Sequence, residues 1–387
     1  MSVTAAAGFR AAGVAAGLKA SGGPDVALVV NDGPAFSAAG VFTTNRVQAA
    51  PVLWSRQVVA GGRLAAVVLN SGGANACTGP AGFADTHATA EHLAARLGDA
   101  ACSGAGEVAV CSTGLIGEPL DLPRLLAGVD AAAGSLSGDG ADDAAAAILT
   151  TDSVRKQATV QAGGFTVGGM AKGAGMLAPG LATMLVVLTT DAAADPAACD
   201  RALRVAAART FARVDSDGCL STNDTVLLMA SGASGVTPEP ERFDAAVEEV
   251  CARLARALVA DAEGAEHDIA VHVVDAASVD DALEVGRAVA RSNLLKCAIF
   301  GRDPNWGRVL AAVGTTSAAF EPDALDVSIN GVKVCIAAAP GEPRDGVDLS
   351  GRQVDITVCL HAGDHDVTVW TNDLTTAYVH ENSAYST

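Results

Sequence analysis

Thr183 is the residue whose neighbours best equip it to act as a nucleophile. It follows a glycine-punctuated stretch through Lys172, Gly173, Gly175, Pro179 and Gly180, and it precedes the apolar run Met184, Leu185, Val186, Val187, Leu188. Glycine permits turns that a side chain forbids, and the β-branched run reads as a buried strand. A loop thus delivers one hydroxyl to the start of a rigid element. If the Ala182-Thr183 bond were cut, the freed α-amine of Thr183 would stand beside its own hydroxyl and serve as its base. The same residues also fit a plain buried strand after a Gly/Pro turn.

Other segments carry weaker chemical signals. An apolar run from Val108 ends in Cys111, Ser112, Thr113 and Gly114, a strand-to-turn pattern that can present oxyanion donors. Residues 70–79, NSGGANACTG, let backbone amides approach a ligand or a neighbouring strand, but they lack the lysine of a phosphate loop. Asp215, Asp217 and Asp224 lack the twelve-residue loop and closing glutamate of a calcium site, which favours a structural loop. The histidines form no HExxH motif and accompany no GxSxG elbow. No metal site is expected.

Composition narrows the function classes. A chain of 387 residues with 50% hydrophobic residues can bury a large core and is long enough for two or more domains. The formal net charge of -19 argues against a general nucleic-acid binder or a partner for anionic membranes. Neither a membrane-spanning apolar run nor a secretory leader is present, so a cytoplasmic protein is expected. The nine cysteines form no close CxxC pair and read as small buried residues in a reducing compartment.

Strands are expected at 26–30, 64–69, 108–111, 165–167, 184–188, 269–273, 354–358 and 366–370, and helices at 85–97, 141–148, 196–214 and 279–290. Phe243, Val247, Val250, Leu254 and Leu258 give the clearest amphipathic helix, which delivers Glu263 to a helix-to-strand junction. Asn330-Gly331 between alternating apolar residues reads as a hairpin turn. These alternations indicate an α/β protein, with a main domain at 1–274 and a smaller α/β domain at 275–387.

Taken together, KGAGMLAPGLATMLVVLTTD at 172–191, CSTGLIGEPL at 111–120 and FGRDPNWGRV at 300–309 resemble the ornithine acetyltransferase (ArgJ) family of arginine biosynthesis. The resemblance covers nearly the whole chain and implies a DmpA-like layered α/β fold. It also implies a precursor that cuts itself between Ala182 and Thr183 into an α chain, 1–182, and a β chain, 183–387, assembled as α2β2. Thr183 would carry the acetyl group between N2-acetylornithine and glutamate. Thr113 and Gly114 would stabilise the oxyanion, while Thr150, Lys172, Glu263, Asn382 and Thr387 would line the substrate site. Thr151 is the alternative to Thr150. Residues 293–300 resemble the strand that precedes FGRDPNWGRV, in which Arg302 or Arg308 fits a substrate carboxylate and a structural ion pair equally well. No cofactor is implied, although acetyl-CoA is a donor for some members.

Three other readings fit the same residues. A self-cut amidase or aminopeptidase would pass the acyl group to water, a secondary-metabolism paralogue would serve another pathway, and a binding protein would remain uncut.

Overall fold

A computed structural model of the chain describes residues 2–98, 101–178 and 184–384. Fully buried apolar runs build its centre. Val26–Asn31, Ala66–Asn70 and Val108–Ser112, with Phe9–Val14 at the edge, form a four-stranded sheet in which the last two strands run parallel. A second sheet has the order Ser37–Phe42, Thr225–Ala230, Leu185–Thr190, Phe165–Lys172, Lys156–Ala162. All six residues of Leu185–Thr190 and of Thr225–Ala230 are buried, as expected for parallel neighbours covered on both faces.

The two sheets stack. Val29, Val67, Leu69 and Cys111 from the first meet Met170, Leu185, Val187 and Leu227 from the second in one apolar layer. On the outer face of the first sheet, Leu28, Val68 and Val110 pack on the helices Gly79–Leu97 and Leu122–Gly134. On the outer face of the second, Val186, Leu188 and Val226 pack on Pro196–Arg209 and Pro240–Ala260. The result is a helix–sheet–sheet–helix sandwich. Phe243, Val247, Val250, Leu254 and Leu258 are completely buried along the helix Pro240–Ala260, so the expected stripe is the one that docks. Each such side chain contributes about 1.5–3 kcal/mol of burial.

A third sheet, six-stranded, uses the chain from Asp268 onward, with Asp268–Ala276 between Gln353–Cys359 and His365–Asn372. The expected boundary at 274/275 falls inside this strand. Asn330 and Gly331 take φ of 46° and 83° at the hairpin, the left-handed pair that a tight primed turn needs. The final helix, Thr376–Ala384, leaves this unit and returns to the sandwich, where Tyr378 and Asn382 reach Glu263 and its surroundings.

Two elements differ from the sequence reading. Residues 293–300 form the helix Asn293–Phe300 and not a strand, because the Ser292 side chain caps it by accepting the Leu295 N–H and Leu295 and Ile299 bury on one face. The short strand expected at 165–167 extends as Phe165–Lys172. Gly168 and Gly169 lie inside it because other groups come close: a Cβ on Gly168 would sit 2.1 Å from the Ser2 carbonyl oxygen.

Candidate active site

Four buried strands converge on one edge of the sandwich. Ala66–Asn70 and Val108–Ser112 end there, Phe165–Lys172 ends there, and Leu185–Thr190 begins there. Ala182 and Thr183, like Thr387, lie outside the described residues. The N–H of the next residue, Met184, donates to Asp224 Oδ1 at 3.2 Å. Around this point a cavity of about 120 Å³ is lined by Thr113, Gly114, Thr150, Thr151, Lys172 and Glu263, together with Asn382 of the last helix. Six of the residues expected from sequence therefore share one cavity, although their positions run from 113 to 382.

The oxyanion candidates are held by backbone geometry. The Thr113 N–H donates to the Asn70 carbonyl at 2.9 Å, and the Gly73 N–H donates to the Thr113 carbonyl at 3.1 Å. Gly114 has φ of 130°, and a Cβ there would lie 2.8 Å from Gly73 N. Only glycine fits that turn. Asn223, absent from the sequence-predicted set, ties the two loops together: its Nδ2 donates to the carbonyls of Ala74 at 2.6 Å and Ser112 at 2.8 Å. In the sequence it lies in STNDTV at 221–226, a polar run just before a buried strand that resembles a family segment without pointing to this residue.

Charge in the cavity is arranged around Asp152. Burial opposes its ionisation, but Lys172 and Lys156 and the bonds from Lys156 and the Gly173 N–H outweigh burial and hold its carboxyl at about 2. Lys156 also pairs with Asp261, and both lysines have almost no exposed surface. Lys172 Nζ lies 3.9 Å from Asp152 and 3.4 Å from Thr113 Oγ1. Burial lowers the Lys172 pKa from its ordinary value while Asp152 opposes that shift. Asp224 behaves differently. Burial raises its pKa well above the ordinary carboxylate range against the Met184 N–H, and Oδ2 finds no hydrogen-bond partner among the described residues. It was weighed in the sequence only as a calcium ligand, and its hold on the Met184 amide was not legible there.

Glu263 forms the far wall. Thr151 Oγ1 donates to its Oε1 at 2.6 Å and Asn382 Nδ2 to its Oε2 at 3.0 Å. Thr150 and Thr151 both line the cavity, but it is Thr151 whose side chain orients this carboxylate. A Cβ on Gly175 would stand 2.5 Å from both Glu263 oxygens. Gly175→Ala is therefore expected to push aside a carboxylate pinned at both ends, raising the substrate KM about tenfold with little change in melting temperature. Steady-state kinetics beside a thermal melt test this.

Arg302 and Arg308 do not line this cavity. Arg308 donates to the Leu294 carbonyl instead, and Trp306 packs in the core of the third sheet. Asp275, Cys359 and His361 cluster on the surface of that unit, away from the cavity. No helix among the described residues is long and apolar enough to cross a membrane.

Comparison with known proteins agrees with the motifs. The ArgJ family model matches residues 10–387. The arginine biosynthesis bifunctional protein ArgJ of Streptomyces coelicolor is 66% identical over 386 residues, covering 100% of both chains. The protein of that name from Thermobifida fusca is 63% identical, again over 100% of both. A solved chain of ornithine acetyltransferase from Mycobacterium tuberculosis, in complex with ornithine, is 62% identical and covers 48% of this chain and 96% of its own, with a TM-score of 0.44. Matched end to end at this identity, the chain belongs to the ArgJ family and is a glutamate N-acetyltransferase of the ArgJ type.

Proposed function

We propose that the acetyl group travels through Thr183, from N2-acetylornithine to glutamate, in a ping-pong cycle that follows self-cleavage at Ala182-Thr183. In the precursor the Thr183 hydroxyl attacks the Ala182 carbonyl, and its proton passes to the departing amide nitrogen. Water hydrolyses the resulting ester and leaves Thr183 as a new amino terminus. That amine then takes the hydroxyl proton as the oxygen attacks the acetyl carbonyl, and returns a proton to the leaving nitrogen of ornithine. Glutamate's neutral α-amine attacks the threonyl ester and regenerates the hydroxyl.

The observation that carries this reading is the meeting of Thr113, Gly114, Lys172 and Glu263 in one cavity at the start of the strand that follows Thr183. Thr113 and Gly114 stabilise the oxyanion in both stages. Lys172 takes the α-carboxylate, as a buried ammonium beside one carboxylate is suited to do. Glu263, oriented by Thr151 and Asn382, receives the α-nitrogen, and Thr150 and Thr387 are further substrate contacts. No metal or cofactor enters the cycle, acetyl-CoA is a possible second donor, and the cut chains assemble as α2β2 in the cytoplasm.

Intact mass and terminal sequencing test the core of this. Two chains are expected, the second beginning at Thr183 and gaining about 42 Da on exposure to N2-acetylornithine, and losing it to glutamate. Thr183→Ala should leave the chain uncut and reduce transfer by at least about 10⁴-fold, whereas Thr183→Ser should still cut. Normal transfer by an uncut Thr183→Ala protein would exclude the mechanism. Release of acetate in the absence of glutamate as fast as transfer in its presence would favour the amidase reading.

A further inference from the structure

On the face of the third sheet that points away from its helices, three strands bring unlike ligand groups together. Register does this. Cys359, the last residue of Gln353–Cys359, lies opposite Val274 of Asp268–Ala276 on one side and opposite Asp326 of Asp326–Ile329 on the other. Side chains alternate along a strand, so Val358 and Leu360 enter the core while Cys359 and His361 meet outside it. Asp275 and His361 both take left-handed φ, 54° and 50°, and the Asp275 carbonyl accepts the N–H groups of Ala362 and Gly363, which holds the two turns side by side. No close spacing announces these groups in the sequence, because Asp275, Asp326 and Cys359 come from three separate strands.

The contacts fix which atoms face one another. His361 Nε2 lies 3.1 Å from Asp326 Oδ2, and that carboxylate is itself held by Lys333 at 3.1 Å and by the Ala337 N–H at 2.9 Å. An ionised carboxylate only accepts, which assigns the ring proton to Nε2 and leaves the lone pair on Nδ1. Nδ1 faces Cys359 Sγ at 3.4 Å, and Sγ donates to Asp275 Oδ2 at 2.9 Å. One atom from each of Asp275, Cys359 and His361 lies within 4.8 Å of the other two. Ligands held about 2.0–2.3 Å from one tetrahedral ion stand about 3.3–3.8 Å apart. The Sγ–Nδ1 separation already meets this, and the Sγ–Oδ2 pair needs to open by about 0.6 Å.

We propose that Cys359, His361 and Asp275 form a binding site for a zinc-class divalent ion, with water as the fourth ligand. Asp326 is the positioning residue: a carboxylate on the far nitrogen is the usual way a metal-binding imidazole is oriented. Thiolate, imidazole and carboxylate together suit zinc, whereas magnesium and calcium take oxygen ligands. The ion replaces the Sγ proton, which passes to solvent, and nothing is oxidised or reduced. Its ligands stand as far as 84 residues apart, so it closes a long loop and clamps two parallel strands that no hairpin joins. The site lies outside the transfer cavity and takes no part in the cycle proposed above.

Cobalt(II) reads such a site directly, because its bond to thiolate gives an intense near-ultraviolet charge-transfer band. Cobalt chloride titrated into the full-length protein, stripped of metal by a chelator, should produce this band, and excess zinc should abolish it. Cys359→Ser should lose the band, while Cys297→Ser, which alters an exposed cysteine elsewhere on the same unit, should keep it. Asp326→Asn should retain the band but weaken cobalt binding about 10–100-fold. Zinc at about a hundred times its Kd should raise the melting temperature of the wild type by about 3 °C and leave that of Cys359→Ser unmoved.

Absence of the band in the wild type, or its persistence in Cys359→Ser, would overturn the site. Undiminished affinity in Asp326→Asn would overturn the positioning role, and a wild-type melting temperature indifferent to zinc would overturn the clamp. His361→Asn, at an exposed position, repeats the cobalt test should Cys359→Ser fail to fold: loss of the band supports the site and an unchanged titration overturns it.

Discussion

Asp152→Ala is expected to destabilise the fold by about 3–5 kcal/mol and to remove transferase activity with it. The carboxylate is completely buried and neutralises two lysines at once, Lys156 at 2.7 Å and Lys172 at 3.9 Å. Its removal leaves Lys156 with Asp261 alone and leaves Lys172 without its nearest counter-charge, so the Lys172 pKa falls further below its ordinary value. Lys172 would then be neutral through more of the working pH range. Asp152→Asn keeps the shape and tests the charge by itself. Urea unfolding of both variants, with the pH profile of the acylation half-reaction, measures the two consequences separately.

The same carboxylate sets a response to acid. Its pKa of about 2 in the fold lies below the ordinary aspartate value of 3.8, so the unfolded chain binds the extra proton. Its stabilisation is therefore complete above the ordinary value and is lost as pH falls from about 4 to about 2. Asp215 works in the opposite sense. Burial raises it to about 6 despite Arg291, so its titration weakens the fold as pH rises through the interval between the ordinary value and about 6. Loss of the acid-dependent step in Asp152→Asn is the expected signature.

Gly114→Ala should carry the second large effect, a fall in kcat of about 10²–10³-fold. The substitution places a Cβ 2.8 Å from Gly73 N and 2.9 Å from Gly73 Cα, so backbone and not a flexible side chain has to give way. The φ of 130° adds a conformational cost of about 1–3 kcal/mol for any other residue. Because the same turn serves both stages of the proposed mechanism, self-cleavage should slow along with transfer. The fraction of uncut chain over time, measured beside kcat, would expose a defect confined to one stage.

Much of this site was legible because its pieces are local patterns. An apolar run ending in Thr113-Gly114 and a glycine loop ending before Leu185 each identify a strand terminus, and strand termini are where the sandwich gathers its polar groups. The amphipathic helix ending near Glu263 was equally plain. What escaped was set by tertiary contact. Gly168 and Gly169 argue against a strand until the approach of Ser2 and Leu188 explains them, and Leu294 to Phe300 is apolar enough to read as either element until the Ser292 cap decides. Asn223 was not singled out, since Ala74 and Ser112, whose carbonyls it meets, lie far away in sequence. For Arg302 and Arg308 the sequence left a substrate carboxylate and a structural ion pair equally open, and neither side chain lines the cavity.

The order of the central five-stranded sheet has a consequence for the two polypeptides that a cut at 182/183 creates. Ser37–Phe42 at one side, with Phe165–Lys172 and Lys156–Ala162 at the other, come from the first polypeptide and enclose Thr225–Ala230 and Leu185–Thr190 of the second. The fragments are interleaved like the fingers of clasped hands, with no plane along which they part. Their dissociation is therefore the same event as unfolding, and dilution alone should not separate them. Expressed from two separate genes, they would have to fold together to fold at all, and the pair should migrate as one species until denaturant is added.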